Sequence, residues 1–169
     1  HAMEVCALMA ERKINMHWSL PNGVRADCLD KQLLNTMKRA GCYYLSFGIE
    51  FGSARMLEIC KKKLDLRKSQ ANIKCANDLG FITQGFFMLG HPMETAADID
   101  LTQKFIFSTP FDKILLTLPL PFPGSELFDY YMERKFKSIG NIDWDNFDII
   151  SFPRIFEHLD AEFVKKTRQ

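Results

Sequence analysis

Short apolar runs alternate along this chain with segments whose apolar residues recur every three or four positions. The runs read as strands and the periodic segments as helices. Residues 2–12 put Val5, Cys6 and Met9 on one helical face, and residues 13–20 read as a short strand that turns at Pro21, Asn22 and Gly23. Asp30 is placed to cap a helix with the buried stripe Leu33, Leu34, Met37 and Ala40, which Gly41 ends. Residues 43–49 form the next strand, rich in aromatic and β-branched side chains. Ser53 caps a helix to about Lys61, and Ser69 starts another through Ile73, Ala76 and Leu79. Residues 81–89 are a strand whose last part, 86–89, has no polar alternation and predicts burial on both faces. Thr95 and Asp98 have capping-box spacing at the head of a helix that reaches Phe107. Residues 113–118 read as a strand and 119–124 as a proline-stiffened loop. Residues 125–134 read as a helix with Leu127, Phe128, Tyr131 and Met132 inward. Trp144 and Phe147 anchor a loop, residues 147–152 form a last strand, and Asp160 caps a last helix through Phe163 and Val164.

A strand–helix unit recurs roughly every 30–40 residues, the rhythm of βαβ units on a parallel sheet. The expected fold class is α/β, a partial (β/α) barrel of four to five mostly parallel strands with flanking helices, in one domain over residues 1–169. A complete eight-stranded barrel needs about 250 residues. The chain opens inside a helical pattern and stops in a lysine-rich helical one, so a piece of a longer protein is expected.

In such folds ligands bind at the carboxyl ends of the strands. Three strand ends carry groups of that kind: Arg25, Glu50 and the turn 90–94, with loop 119–124 as a wall. If they converge, they form a mostly apolar pocket with one carboxylate and a few cations. Such a site suits an organic ligand bearing charged groups. Glu50 at a strand end also reads as a structural brace, Lys62 within its lysine triplet as a solvated face, and Arg25 as a sheet brace. His91 in its turn reads as a surface residue, and Trp18, Trp144 and the phenylalanines as core.

Composition adds little and excludes more. Hydrophobic residues make up 47% of the chain, and fifteen phenylalanines imply an aromatic-rich core. A formal net charge of +1 offers nothing to nucleic acid or an anionic membrane. No apolar run approaches the ~20 residues of a membrane span. The five cysteines lie at least fourteen positions apart, which gives neither a zinc knuckle nor a CxxC. They read as reduced thiols, and with no signal peptide visible the expected location is cytoplasmic. The expected partners are a small-molecule substrate and a second copy paired through an exposed sheet edge.

Four motifs together resemble a known family. Residues 48–53 (Gly-Ile-Glu-Phe-Gly-Ser, followed by Leu57 and Lys62), 90–95 (Gly-His-Pro-Met-Glu-Thr), 121–125 (Pro-Phe-Pro-Gly-Ser) and 22–27 (Asn-Gly-Val-Arg-Ala-Asp) look like strand-end motifs of the radical S-adenosylmethionine enzymes. The subgroup is the one that usually carries an amino-terminal cobalamin-binding domain. The resemblance covers nearly the whole chain. It implies a parent that holds S-adenosylmethionine on a 4Fe–4S cluster and cleaves the sulfonium to a 5′-deoxyadenosyl radical, for methylation, ring formation or another rearrangement, with the use of cobalamin left open. It further implies that Glu50 hydrogen-bonds the nucleoside or amino-acid part of that ligand and that Lys62 neutralises its carboxylate. Gly90 and Pro92 would shape the adenine edge, and Arg25 would face the cavity. The chain departs from the family in lacking CxxxCxxC, in having Met93 where glycine is frequent and Phe51 where serine is common, and in having Phe86 where some relatives are acidic. Without the cluster motif this segment alone is expected to be inactive and to hold no cofactor by itself. A non-catalytic α/β binding or interaction module derived from the same barrel is the rival reading.

Overall fold

A computed structural model describes residues 1–148 and 155–159. The elements are α1 (Ala2–Glu11), β1 (Trp18–Val24), a 3-10 turn (Ala26–Cys28), α2 (Lys31–Arg39), β2 (Cys42–Glu50), α3 (Ala54–Ile59), α4 (Leu66–Asp78), β3 (Ile82–Met88), α5 (Ala96–Ser108), β4 (Lys113–Thr117) and α6 (Glu126–Tyr131). The strands form one sheet in the order β1-β2-β3-β4, and β1/β2 and β2/β3 pair in parallel. The fold class is therefore α/β, a sheet of successive parallel strands with flanking helices, as the alternation of patterns predicts.

The chain divides into two compact units, one of residues 1–87 and 97–115, the other of residues 88–96 and 116–169. In the first, Leu45, Phe47 and Ile49 of β2 are fully buried with Phe87 of β3, Leu34 of α2, Met56 of α3 and Ile73 of α4. The opposite face of β2 carries Tyr44, Ser46, Gly48 and Glu50, every second residue, as a strand requires. Gln84 and Phe86 of β3 stand in register with Ser46 and Gly48. In the second unit Phe128, Tyr131, Phe136 and Ile142 form the core, with Leu120, Leu127 and Met132 packed against it. A single π-helical turn, Met132–Phe136, extends α6.

The helix starts follow local chemistry. Asp30 accepts from the Leu33 N–H, Ser53 from Met56 and Ser125 from Phe128, so each N-cap satisfies a donor the helix leaves open. Four expectations are corrected. Pro21, Asn22 and Gly23 lie within β1 instead of ending it; the register with β2 slips between Leu20 and Val24, and on an edge strand proline's missing donor costs no ladder bond. The helix expected from Ser69 starts at Leu66 on an Asp65 cap, and Ser69 is buried inside it. β3 alternates buried and half-buried residues, so its two faces are not equally covered. The aromatic residues are not uniformly core: Phe107 is 87% exposed, and Phe122 and Trp144 are exposed as well. The strand at 147–152 and the helix from Asp160 fall outside the described residues, apart from Phe147 and Asp148. No helix among the described residues is long and apolar enough to cross a membrane.

Candidate functional site

β2 ends in a bulge. Its register with β3 slips between Gly48 and Glu50, and Glu50 takes a left-handed backbone, φ +68°. The short helix α3 follows, and the chain turns back at Lys61, also left-handed at φ +53°. That reversal carries Lys62 to Glu50: its Nζ donates to Glu50 Oε1 at 2.7 Å. Both side chains are about a quarter exposed, 23% for Lys62 and 25% for Glu50. Lys61 and Lys63 on either side are exposed. Among the described residues the polar contact of the Glu50 side chain is this one with Lys62, through Oε1. The sequence places Glu50 and Lys62 in one site, and the structure brings them together.

Arg25 takes a different position. Its guanidinium donates to both oxygens of Asp27 and to the Lys63 carbonyl, and Asp27 also accepts from the Asp65 N–H. The Arg25 hydrogen bonds hold the Asp27 carboxyl below the usual carboxylate range, and Asp27 in turn raises the guanidinium's pKa. This pair, with Arg25 half exposed and Asp27 largely covered, ties the end of β1 to the loop that carries Lys62 and to the start of α4.

The turn after β3 belongs to the second unit. Gly90 has φ +87° and its N–H donates to Glu94 Oε2 at 2.6 Å, while the Glu94 N–H donates to the His91 carbonyl. Glu94 is fully buried, so the turn is closed by its own carboxylate. Pro92 is buried, and its carbonyl accepts from the Glu157 N–H. Glu157 is anchored by Tyr130 and Arg134, and burial together with the Glu157 contact pushes the Tyr130 phenol up to about 12.

Two groups of residues escaped the sequence reading. Ser53 Oγ donates to Asp98 Oδ1 at 2.6 Å, and Arg55 donates to both Asp98 oxygens. The Gly52 N–H donates to Thr102 Oγ1. A Cβ on Gly52 would come within 2.6 Å of Thr102 Cα and 2.8 Å of the Leu101 carbonyl oxygen. The last two residues of the 48–53 motif therefore seat α5 against α3, while its third residue carries the carboxylate. The second group is Tyr44, whose hydroxyl donates to Gln84 Oε1, with Lys113 Nζ 5.7 Å from the Tyr44 ring. The i, i+2 series Tyr44, Ser46, Gly48, Glu50 was the available signal for a polar sheet face.

The fold defines a partial-barrel α/β protein with a carboxylate and an ammonium paired at a strand end. No protein-family model matches the chain. In sequence it is 25% identical, over 98% of its length, to an uncharacterized methyltransferase of Pyrococcus horikoshii, and 31% identical, over 75%, to the cytidylyl-2-hydroxyethylphosphonate methyltransferase of Streptomyces wedmorensis. It spans 35% and 25% of those two proteins, about a third of their length or less. In fold it matches the radical S-adenosylmethionine methyltransferase TsrM of Kitasatospora setae, solved with cobalamin and a 4Fe–4S cluster bound. The TM-score is 0.65 at 15% identity, over 79% of this chain and 28% of that one. The resemblance carried by the four motifs thus stands: the sequence relatives include methyltransferases, methylthiotransferases and a magnesium-protoporphyrin IX monomethyl ester cyclase, and the chain has the fold of a radical S-adenosylmethionine enzyme.

Proposed function

We propose that this chain is the carboxyl-terminal part of the catalytic barrel of a radical S-adenosylmethionine enzyme. Its Glu50–Lys62 pair would bind the aminocarboxylate end of S-adenosylmethionine. The pair itself carries the reading. A carboxylate and an ammonium lie 2.7 Å apart, each partly exposed, so both charges reach the surface side by side. An α-amino acid presents the complement, an ammonium and a carboxylate on one carbon, and each charge-assisted hydrogen bond in such a site is worth roughly 1.5–3 kcal/mol. The Arg25–Asp27 tie would hold the loop that delivers Lys62.

In the longer protein a 4Fe–4S cluster would supply the electron for the reductive cleavage that starts radical chemistry on a small organic substrate. Among the described residues no three metal-ligating side chains come together, so this chain's cysteines do not fit the cluster and no step is assigned to them. The part played here is to bind and orient the ligand. The sequence relatives are methyltransferases, methylthiotransferases and a cyclase, and the reaction on the substrate would be of one of these kinds.

The test is S-adenosylmethionine binding by calorimetry in the full-length protein. Glu50→Ala and Lys62→Ala should each weaken it about ten- to a hundredfold. If Glu50→Ala lowers stability but leaves affinity alone, Glu50 is a brace and the reading fails.

A further inference from the structure

Gly48 stands two residues before Glu50 on the same face of β2. A Cβ built there would meet two atoms within 4 Å, Glu50 Oε1 at 3.0 Å and Lys62 Nζ at 3.2 Å. Both distances are tighter than ordinary contacts of a side-chain carbon, so the ion pair occupies the space a side chain would take. We propose that Gly48 is the positioning residue of this pair. The missing side chain is the seat in which carboxylate and ammonium fold back onto the sheet as one unit shaped for an α-amino acid. The inference deepens the aminocarboxylate reading and rests on it for the ligand's identity.

Three observations support it. Glycine inside a strand is unfavourable by itself and marks a close approach. The approaching groups here are the two charged tips and nothing else within 4 Å. Second, Gly48 does not have a left-handed backbone, so alanine is conformationally acceptable and its effect is that of the added carbon alone. Third, both atoms sit at the ends of flexible side chains. They can swing away, so Gly48→Ala should keep the fold and displace the pair. Gly52 is the contrast, because its close neighbours are two backbone atoms and the Phe105 Cβ of α5, none at the end of a flexible side chain.

The experiment has two arms. In this chain, the rate of lysine acylation is mapped by mass spectrometry at Lys61, Lys62 and Lys63. Lys62 should react slowest in the parent, and Gly48→Ala should raise its rate several-fold with its neighbours unchanged. In the full-length protein, Gly48→Ala should weaken S-adenosylmethionine binding about tenfold, and Lys62→Ala added to it should cost little more. Unchanged Lys62 labelling in folded Gly48→Ala overturns the proposal. Raised labelling with unchanged affinity upholds the positioning role and sinks the aminocarboxylate reading alone. If Gly48→Ala loses thermal stability, the same substitution is made in Lys62→Ala. Relief of the loss there supports a role through the pair, and an equal loss overturns it.

Discussion

Glu50 and Lys62 are twelve residues apart in sequence, with a whole helix between them, yet their charged atoms lie 2.7 Å apart. The left-handed residues at both ends of that excursion, Glu50 and Lys61, make the return. One lysine of three is thereby singled out.

The first expectation follows directly. Lys61→Ala and Lys63→Ala should leave S-adenosylmethionine affinity in the full-length protein within about twofold, since exposed charges at this range are screened. Lys62→Ala should weaken it at least tenfold, by the loss of one charge-assisted contact of roughly 1.5–3 kcal/mol. Three equal affinities in a titration would return the triplet to a solvated face.

The buried Asp98 carboxylate offers a stability test. It is 3% exposed and accepts from Ser53 and Arg55, whereas Arg55 is half exposed. Asp98→Ala should cost about 2–3 kcal/mol in urea unfolding, below the full figure for a wholly buried pair because Arg55 can turn to water. Ser53→Ala removes both that partner and the α3 cap, and should cost about as much. A loss under half a kcal/mol in both would show that α5 does not depend on this contact.

Gly52→Ala should cost about 1–3 kcal/mol or more, because α5 must move as a body to admit the new carbon. Gly140→Ala, whose nearest atom would be Ser138 Oγ at 3.8 Å, is the control. Equal melting temperatures for the two variants would refute the tight seat.

Much of the fold was legible because the patterns were unambiguous. The caps at Asp30 and Ser53 and the stripe through Leu34 and Met37 follow from side chains acting on their own neighbours. The failures share another cause. Proline in β1 is tolerated because that strand is an edge, and edges are a property of the sheet, not of residues 21–23. Asp65 outcompeted Ser69 as a cap because Ser69 faces the core. The approach of Lys62 to Glu50 was legible from the short helix between them, which lets the chain fold back. The partners of Arg25 and the close approach at Gly48 were not, since each depends on a contact with distant residues.

The Arg25–Asp27 pair makes a pH prediction. Asp27 is depressed below the ordinary carboxylate value, so its contribution to stability is complete above about pH 4 and fades as pH falls through the folded-state value. The gap in urea midpoint between the parent and Asp27→Asn should therefore be largest near pH 7 and close towards pH 2. A gap that stays constant over that range would show the carboxylate charge to be irrelevant.

The cysteines allow a test of the division of labour. Cys6 and Cys42 are buried, and burial pushes the Cys42 thiol up to about 11. A protonated, enclosed thiol is a poor iron ligand. After anaerobic incubation with iron and sulfide this chain should stay colourless, with no absorbance near the thiolate-to-iron bands. Stoichiometric iron and sulfide would mean that residues of this chain assemble a cluster of their own.

The left-handed backbone at Glu50 sets two properties of one position against each other. Glycine would occupy that conformation with no steric penalty, whereas a side-chain-bearing residue pays about 1–2 kcal/mol there. Glu50→Gly should thus relax the backbone while deleting the carboxylate. A protein screened only for heat resistance would be free to lose this glutamate, so the residue is a poor choice for a stabilising consensus and a good one for separating foldedness from ligand recognition.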